Sequence, residues 1–228
     1  MLREGAGGAA LSLSKGEGRY SLHDLLRDFA LERSNEEERE TASQRHAAHY
    51  MHVLSTANDL YLKGGENILA GLSLFDREAE HIKTGQAWAA KKHARLCKDY
   101  PSAGAYVLDL RLTPGENISW LETALASARR SKDRSSEGNA LGNLGNAYAD
   151  LGEARKAIEF YEQALIIARE IGDKRNEGNW LGNLGNALHG LGEKERGLAL
   201  VKQALAIFEA IESPHAKWAR DKLKEWGA

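Results

Sequence analysis

Residues 134–173 align without a gap onto residues 174–213, with 18 identical positions at an offset of 40. A chain that repeats itself at a fixed period builds like units that stack, each covering an apolar face its neighbour leaves bare. The shared core reads EGNALGNLGNAYADLGE from Glu137 and EGNWLGNLGNALHGLGE from Glu177. Each is followed by an amphipathic stretch, ending QALIIAREIGD in one copy and QALAIFEAIES in the other.

Within the first copy, Leu141, Leu144, Tyr148 and Leu151 recur at steps of three and four, which places them on one face of a helix. Leu151-Gly152-Glu153 interrupts the pattern, and Gly152 is the residue type that takes the left-handed conformation at a helix end. A second stripe then begins, through Ala157, Ile158, Tyr161, Ala164, Leu165 and Ala168. Small residues fall where the two helices must approach closely: Gly145 and Ala157 here, Gly185 and Gly197 in the second copy. With only three prolines among 228 residues and few β-branched runs, the expected class is all-α.

This pattern resembles the tetratricopeptide repeat, whose L-G-x-x-Y, Ala, aromatic, Ala signature is met by Leu144, Gly145, Tyr148, Ala157, Tyr161 and Ala164. The second copy keeps Leu184, Gly185 and Ala204 but has Leu188, Gly197 and Val201 at the other positions. The resemblance implies a right-handed superhelical solenoid of antiparallel helix pairs whose first helices line a concave groove. A period of 40 against the usual ~34 predicts longer helices. A worn third copy precedes these two: WLETALASARRSKD from Trp120 matches FYEQALIIAREIGD at six positions, with a first helix expected near Ala103 to Leu112. After the last copy, Ser213-Pro214 starts a terminal helix carrying Trp218, Leu223 and Trp226 that caps the stack.

Upstream, SLHDLLRDFALE predicts a helix behind a Ser21 N-cap. A long helix is expected over Glu36 to Lys63, ended by Gly64-Gly65, and another over Leu74 to Lys92 with Phe75, Ala79, Ile82 and Trp88 buried. RYSLHDLLRDFALE, RHAAHYM and LFDREAEHI followed by repeats resemble the region after the winged helix in bacterial signal-transduction ATPases of the NB-ARC or STAND class. That resemblance implies a sensor segment whose ligand biases assembly of an upstream ATPase. The expected organisation is residues 1–20 as disordered chain or winged-helix remnant, and 21–95 as a helical arm. Repeats occupy 96–228, with units over 96–133, 134–173 and 174–213 and a cap over 214–226. A β-hairpin remnant in the first 20 residues would be the one exception to an all-helical chain.

No G-x-x-x-x-G-K-[ST] occurs, so nothing in this chain, taken alone, cradles nucleotide phosphates. Nor is there a nucleophile elbow or a paired-carboxylate motif, and His23-Asp24 reads as a helix start. His46, His49 and His52 drift around a helix instead of converging, so no metal and no cofactor is expected and the chain is read as non-catalytic. Net charge is −2, and the chain divides after Arg95 into 13 basic and 14 acidic residues before and 18 and 19 after. This balance argues against nucleic acid as partner. Cys97 is the only cysteine, there is no run of 18 apolar residues, and the start is too glycine-rich for a secretory leader. These point to the cytoplasm and to no membrane partner.

Asn139, Asn143 and Asn146, and Asn179, Asn183 and Asn186, form matched stripes along the first helix of each copy. Asparagine costs up to ~0.7 kcal/mol against alanine at a helix position, so six at matched places need a reason. Either they present donors and acceptors to a peptide in the concave groove, joined by Trp180 and His189, or they bond between neighbouring hairpins or face water. Trp180 equally suits packing between repeats. The function expected is thus a protein- or peptide-binding scaffold. The alternatives are a winged-helix-linked transcriptional regulator segment and a self-association module forming a homo-oligomer.

Overall fold

The computed structural model describes residues 11–14, 19–22, 29 and 32–227. The chain divides into two compact units, one ending at His46 and one beginning at Ala47. In the first, β1 (Leu11–Ser14) pairs antiparallel with β2 (Arg19–Leu22), Leu13 opposite Tyr20 and Leu11 opposite Leu22. Ser21 therefore lies in a strand, opposite Ser12, and does not cap a helix. The period-two alternation of LSLS outweighs the serine start signal. Of the expected first helix, residues 23–28, 30 and 31 lie outside the described residues, whereas Phe29 and Glu32, with the following Arg33, are helical. Helix α1 (Glu36–Lys63) covers the expected residues and is capped by Asn35, whose Oδ1 accepts from the Glu38 amide while Glu38 accepts from the Asn35 amide, both at 2.9 Å.

The second unit is helical throughout. Gly64 and Gly65, both at positive φ, end α1 and lead into α2 (Asn67–Lys92), which starts seven residues before the expected Leu74. Phe75 and Ile82 are buried in it, and Ala79 and Trp88 are partly so. The worn repeat departs from a simple hairpin. Its first element is two short helices, α3 (Ala94–Ala103) and α4 (Ala105–Arg111), broken at Gly104, in place of one helix over Ala103 to Leu112. The break has a packing cause: a Cβ on Gly104 would stand 2.3 Å from Leu54 Cδ1. Its second element is α5 (Pro114–Arg130), opened by a reciprocal Thr113–Glu116 capping box with proline in the first turn.

The two clear repeats follow as α6 (Arg134–Asp150) with α7 (Ala154–Ile171), and α8 (Lys174–Gly190) with α9 (Lys194–Ala210). They are 17 or 18 residues each, as a 40-residue period requires. Each helix packs on the next, and α10 (His215–Glu225) closes the series on α9. Closeness between α8 and α9 depends on glycine: a Cβ on Gly197 would lie 2.5 Å from the Gly185 carbonyl oxygen. Successive repeats are also tied electrostatically. Buried Glu137 accepts from Arg129 and Arg134, and at the same offset buried Glu177 accepts from Arg169 and Lys174. Burial raises the Glu177 pKa, but the bonds from Lys174 and Arg169 outweigh it and hold the carboxyl below its ordinary value.

Candidate functional site

Helices α6 and α8 are poor helix formers by composition, carrying three and four glycines beside the stripe asparagines. They hold because their opposite faces are core: Leu141 and Leu144, and Leu181 and Leu184, are at most 5% exposed. Each also opens on an aspartate cap, Asp133 accepting from the Ser136 amide at 3.1 Å and Asp173 from the Asn176 amide at 3.0 Å.

The faces turned away from the core line a groove of about 900 Å³. Of the eight residues singled out in sequence, Asn139, Asn143, Asn146, Asn179, Trp180, Asn183 and Asn186 line it together. His189 does not. Its ring stacks on Trp226 at 3.8 Å and 2°, clasping the capping helix. Trp180 also serves the packing between repeats: it is 6% exposed, stacks near Tyr161 and covers Gly142, where a Cβ would meet its ring at 2.1 Å. Its indole N–H is buried without an acceptor among the described residues.

The asparagines both bond between hairpins and retain unused capacity. Asn146 Oδ1 accepts from Asn183 Nδ2 at 2.9 Å and from Tyr161 Oη at 2.8 Å. Asn139 Oδ1 accepts from Asn176 Nδ2 at 2.9 Å, and Asn179 Nδ2 makes a longer bond, 3.4 Å, to Asn176 Oδ1. These bonds fix the amides so that α6 is left with free donors, the Nδ2 groups of Asn139 and Asn146, and α8 with free acceptors, the Oδ1 atoms of Asn179 and Asn183. Asn143 and Asn186 make no side-chain hydrogen bond to the described residues. The band of amides thus presents unused donors and acceptors along the groove.

Sequence reading missed several groove residues. Asn176 aligns with Ser136 in the first copy, so the repeat comparison hid it. Tyr106 comes from the broken worn repeat, and Trp218 from the cap, where it rests on Gly182. Arg175 and His215 also line the groove. A second hollow of about 610 Å³ shares Asn146, Asn183 and Asn186 with it and adds Asp109, Asp150 and Tyr161. Desolvation raises the Asp109 pKa, opposed by a bond from Asn117 Nδ2 and reinforced by the Asp150 charge. Burial pushes the Tyr161 phenol up as well, again with Asp150 contributing. Among the described residues no group of three or more His, Cys, Asp and Glu is placed to hold a metal ion, and no helix is long and apolar enough to cross a membrane.

Paired helices with a polar groove on their first members define a helical-repeat binding module, and comparison places it. The sequence model of the tetratricopeptide repeat matches residues 118–170 and 136–210, so this stretch is similar to tetratricopeptide repeats. "Tetratricopeptide repeat protein 29" of Trypanosoma brucei brucei is 38% identical over 72 residues, 32% of this chain and only 15% of that protein. Among solved structures, a STAND protein with a tetratricopeptide-repeat sensor from Pyrococcus horikoshii superposes with a TM-score of 0.58 at 21% identity, over 74% of this chain and 25% of that one. A putative kinesin light chain repeat structure from Podosopora anserina gives a TM-score of 0.56 at 16% identity, over 79% of this chain and 86% of the other. These likenesses establish the solenoid fold, and the chain resembles the sensor region of the STAND protein.

Proposed function

We propose that this chain is a non-catalytic scaffold that binds an extended protein or peptide segment in the asparagine-lined groove. In this reading it serves as the ligand-sensing or partner-docking part of a STAND-type signalling ATPase. Tetratricopeptide repeats are in general protein-interaction modules, which supports the scaffold reading. The observation that carries the site is the amide band, with donors free on α6, acceptors free on α8, and Asn143 and Asn186 without a side-chain hydrogen bond among the described residues. The STAND assignment rests on the likeness to the Pyrococcus horikoshii sensor and on the residue resemblance upstream of the repeats. The hairpin of β1 and β2 supports reading the first 20 residues as a winged-helix remnant. A reducing, cytoplasmic setting fits the single, buried Cys97.

The test is selection of displayed random 12-residue peptides on the purified chain, followed by affinity measurement against Asn143→Ala/Asn186→Ala. Neither side chain is bonded to the described residues, so the variant keeps its melting temperature. Loss of affinity of about tenfold, the worth of two modest hydrogen bonds, is expected. Equal affinity for the two proteins removes the groove from the function.

A further inference from the structure

The groove is not electrically uniform along the helices that line it. At the N-terminal end of α8, Arg175 is exposed, lines the groove and has no ion-pair partner among the described residues. His215, at the start of α10, also lines the groove. At the C-terminal end of α6, Asp150 lines the adjoining hollow with Asp109, and neither has a basic partner among the described residues. Helix N-termini carry partial positive charge and C-termini partial negative charge, so the backbone adds to the same gradient at both ends. Burial is the main cause of the raised Asp109 pKa, and the nearby Asp150 charge adds to it.

Between the two ends runs the amide band, with its unspent donors and acceptors, and in the same wall the Trp180 indole N–H, at 6% exposure, has no acceptor among the described residues. Uncompensated charges flanking a band of unfilled hydrogen-bond capacity describe a ligand. We propose that the groove takes an extended segment with opposite charges toward its two ends, an acidic group against Arg175 and a basic group against Asp109 and Asp150. This rests on the peptide-binding reading above and adds the chemistry of the partner. Asp150 is equivalent to position 190 at the repeat offset, 15 residues along α8 from Arg175. At 1.5 Å per helical residue that is about 22 Å, and at ~3.3 Å per extended residue about seven peptide residues.

The probes are four libraries of capped ten-residue peptides with fixed charges seven positions apart and random neutral residues elsewhere: Lys then Glu, Glu then Lys, two Lys, and two Glu. One of the two mixed orders binds best, about fivefold or more above both like-charge libraries, and the margin shrinks with added salt. Arg175→Glu moves the preference to two Lys, and Asp150→Lys with Asp109→Asn moves it to two Glu. Arg175→Gln, a milder change at an exposed site, abolishes the preference at the acidic end and guards against a folding artefact. Equal binding of all four libraries, unmoved by Arg175→Glu yet lost in Asn143→Ala/Asn186→Ala, overturns the bipolar ligand and leaves the groove standing. Absence of binding by every library overturns both.

Discussion

Gly142→Ala tests whether the groove wall and the repeat stack are one structure. In an open helix this substitution is favourable, by about 1 kcal/mol. Here the new Cβ would lie 2.1, 2.3 and 2.4 Å from Cζ2, Cη2 and Cε2 of Trp180, against the ~3.5–4.0 Å of an ordinary carbon contact. The indole cannot swing aside, being 6% exposed and flanked by Tyr161 at 6.3 Å between ring centres. Overpacking of this kind costs typically 1–3 kcal/mol, and three ring atoms inside contact distance put it at ~3. Subtracting the helix gain leaves about 2 kcal/mol of destabilisation, or roughly 4–8 °C in Tm for a unit of this size. Urea unfolding of the purified chain measures it. Gly190→Ala, at a helical glycine with nothing within 4 Å of its Cβ, is the control and gains up to about 1 kcal/mol. If Gly142→Ala proves neutral or stabilising, Trp180 is not wedged between repeats and the account of the wall fails.

Two further perturbations read other parts of the stack. Asp133 is held at a pKa of about 2, chiefly by Lys98 at 2.6 Å and by the Ser136 amide. Because the folded pKa is depressed below the ordinary 3.8, its contribution is complete above about pH 4 and lost as pH falls toward 2. Lys98→Met should therefore cost ~1 kcal/mol at pH 7, after allowance for solvent screening, and flatten the acid limb of a stability–pH curve between pH 4 and 2. A variant whose curve parallels the parent's contradicts the pairing. Lys132, Gly172 and Glu212 are equivalent at the 40-residue offset, and all three are left-handed, at φ 55°, 73° and 52°. Glu212→Gly should gain up to about 1 kcal/mol in urea unfolding and Gly172→Ala lose about as much, since only glycine takes this conformation without strain. A loss in Glu212→Gly argues against a strained turn there.

The repeats were legible because a period of 40 with helical spacing leaves one arrangement: Leu141, Leu144, Tyr161 and Ala164 had to face one another. The asparagine stripe was legible as a stripe, since matched positions in two copies cannot be chance. What sequence spacing could not tell is which partner each amide chooses. Asn146 and Asn183 meet across hairpins 37 residues apart, at a separation fixed by the Gly142–Trp180 and Gly182–Trp218 approaches and by no local pattern. His189 fell on the expected stripe, yet the cap drew it to Trp226, because a stacked aromatic partner exists only where the solenoid ends. The β-hairpin was foreseen only as an exception within the first 20 residues, and its reach to Leu22 was hidden by a serine that reads equally as a helix start, as the Gly104 break was by a worn repeat with no second copy to compare.

The internal bonds of the asparagines strengthen the binding reading. A free asparagine amide rotates, and holding such a side chain on a ligand costs ~0.5–1.5 kcal/mol each. Asn146 has its oxygen anchored twice, by Tyr161 and by Asn183, so both of its Nδ2 hydrogens point in directions set before any ligand arrives. The same bond fixes Asn183, whose oxygen is left as the acceptor. Anchoring converts a flexible polar surface into an oriented one, at the expense of half its hydrogen-bonding capacity. Asn143 and Asn186 keep all of theirs, and lie one helical turn from the anchored pair on each helix. A groove meant only to be wetted would gain nothing from this division between fixed and free amides, whereas one that grips a backbone through the fixed edge and adapts to side chains through the free positions uses both.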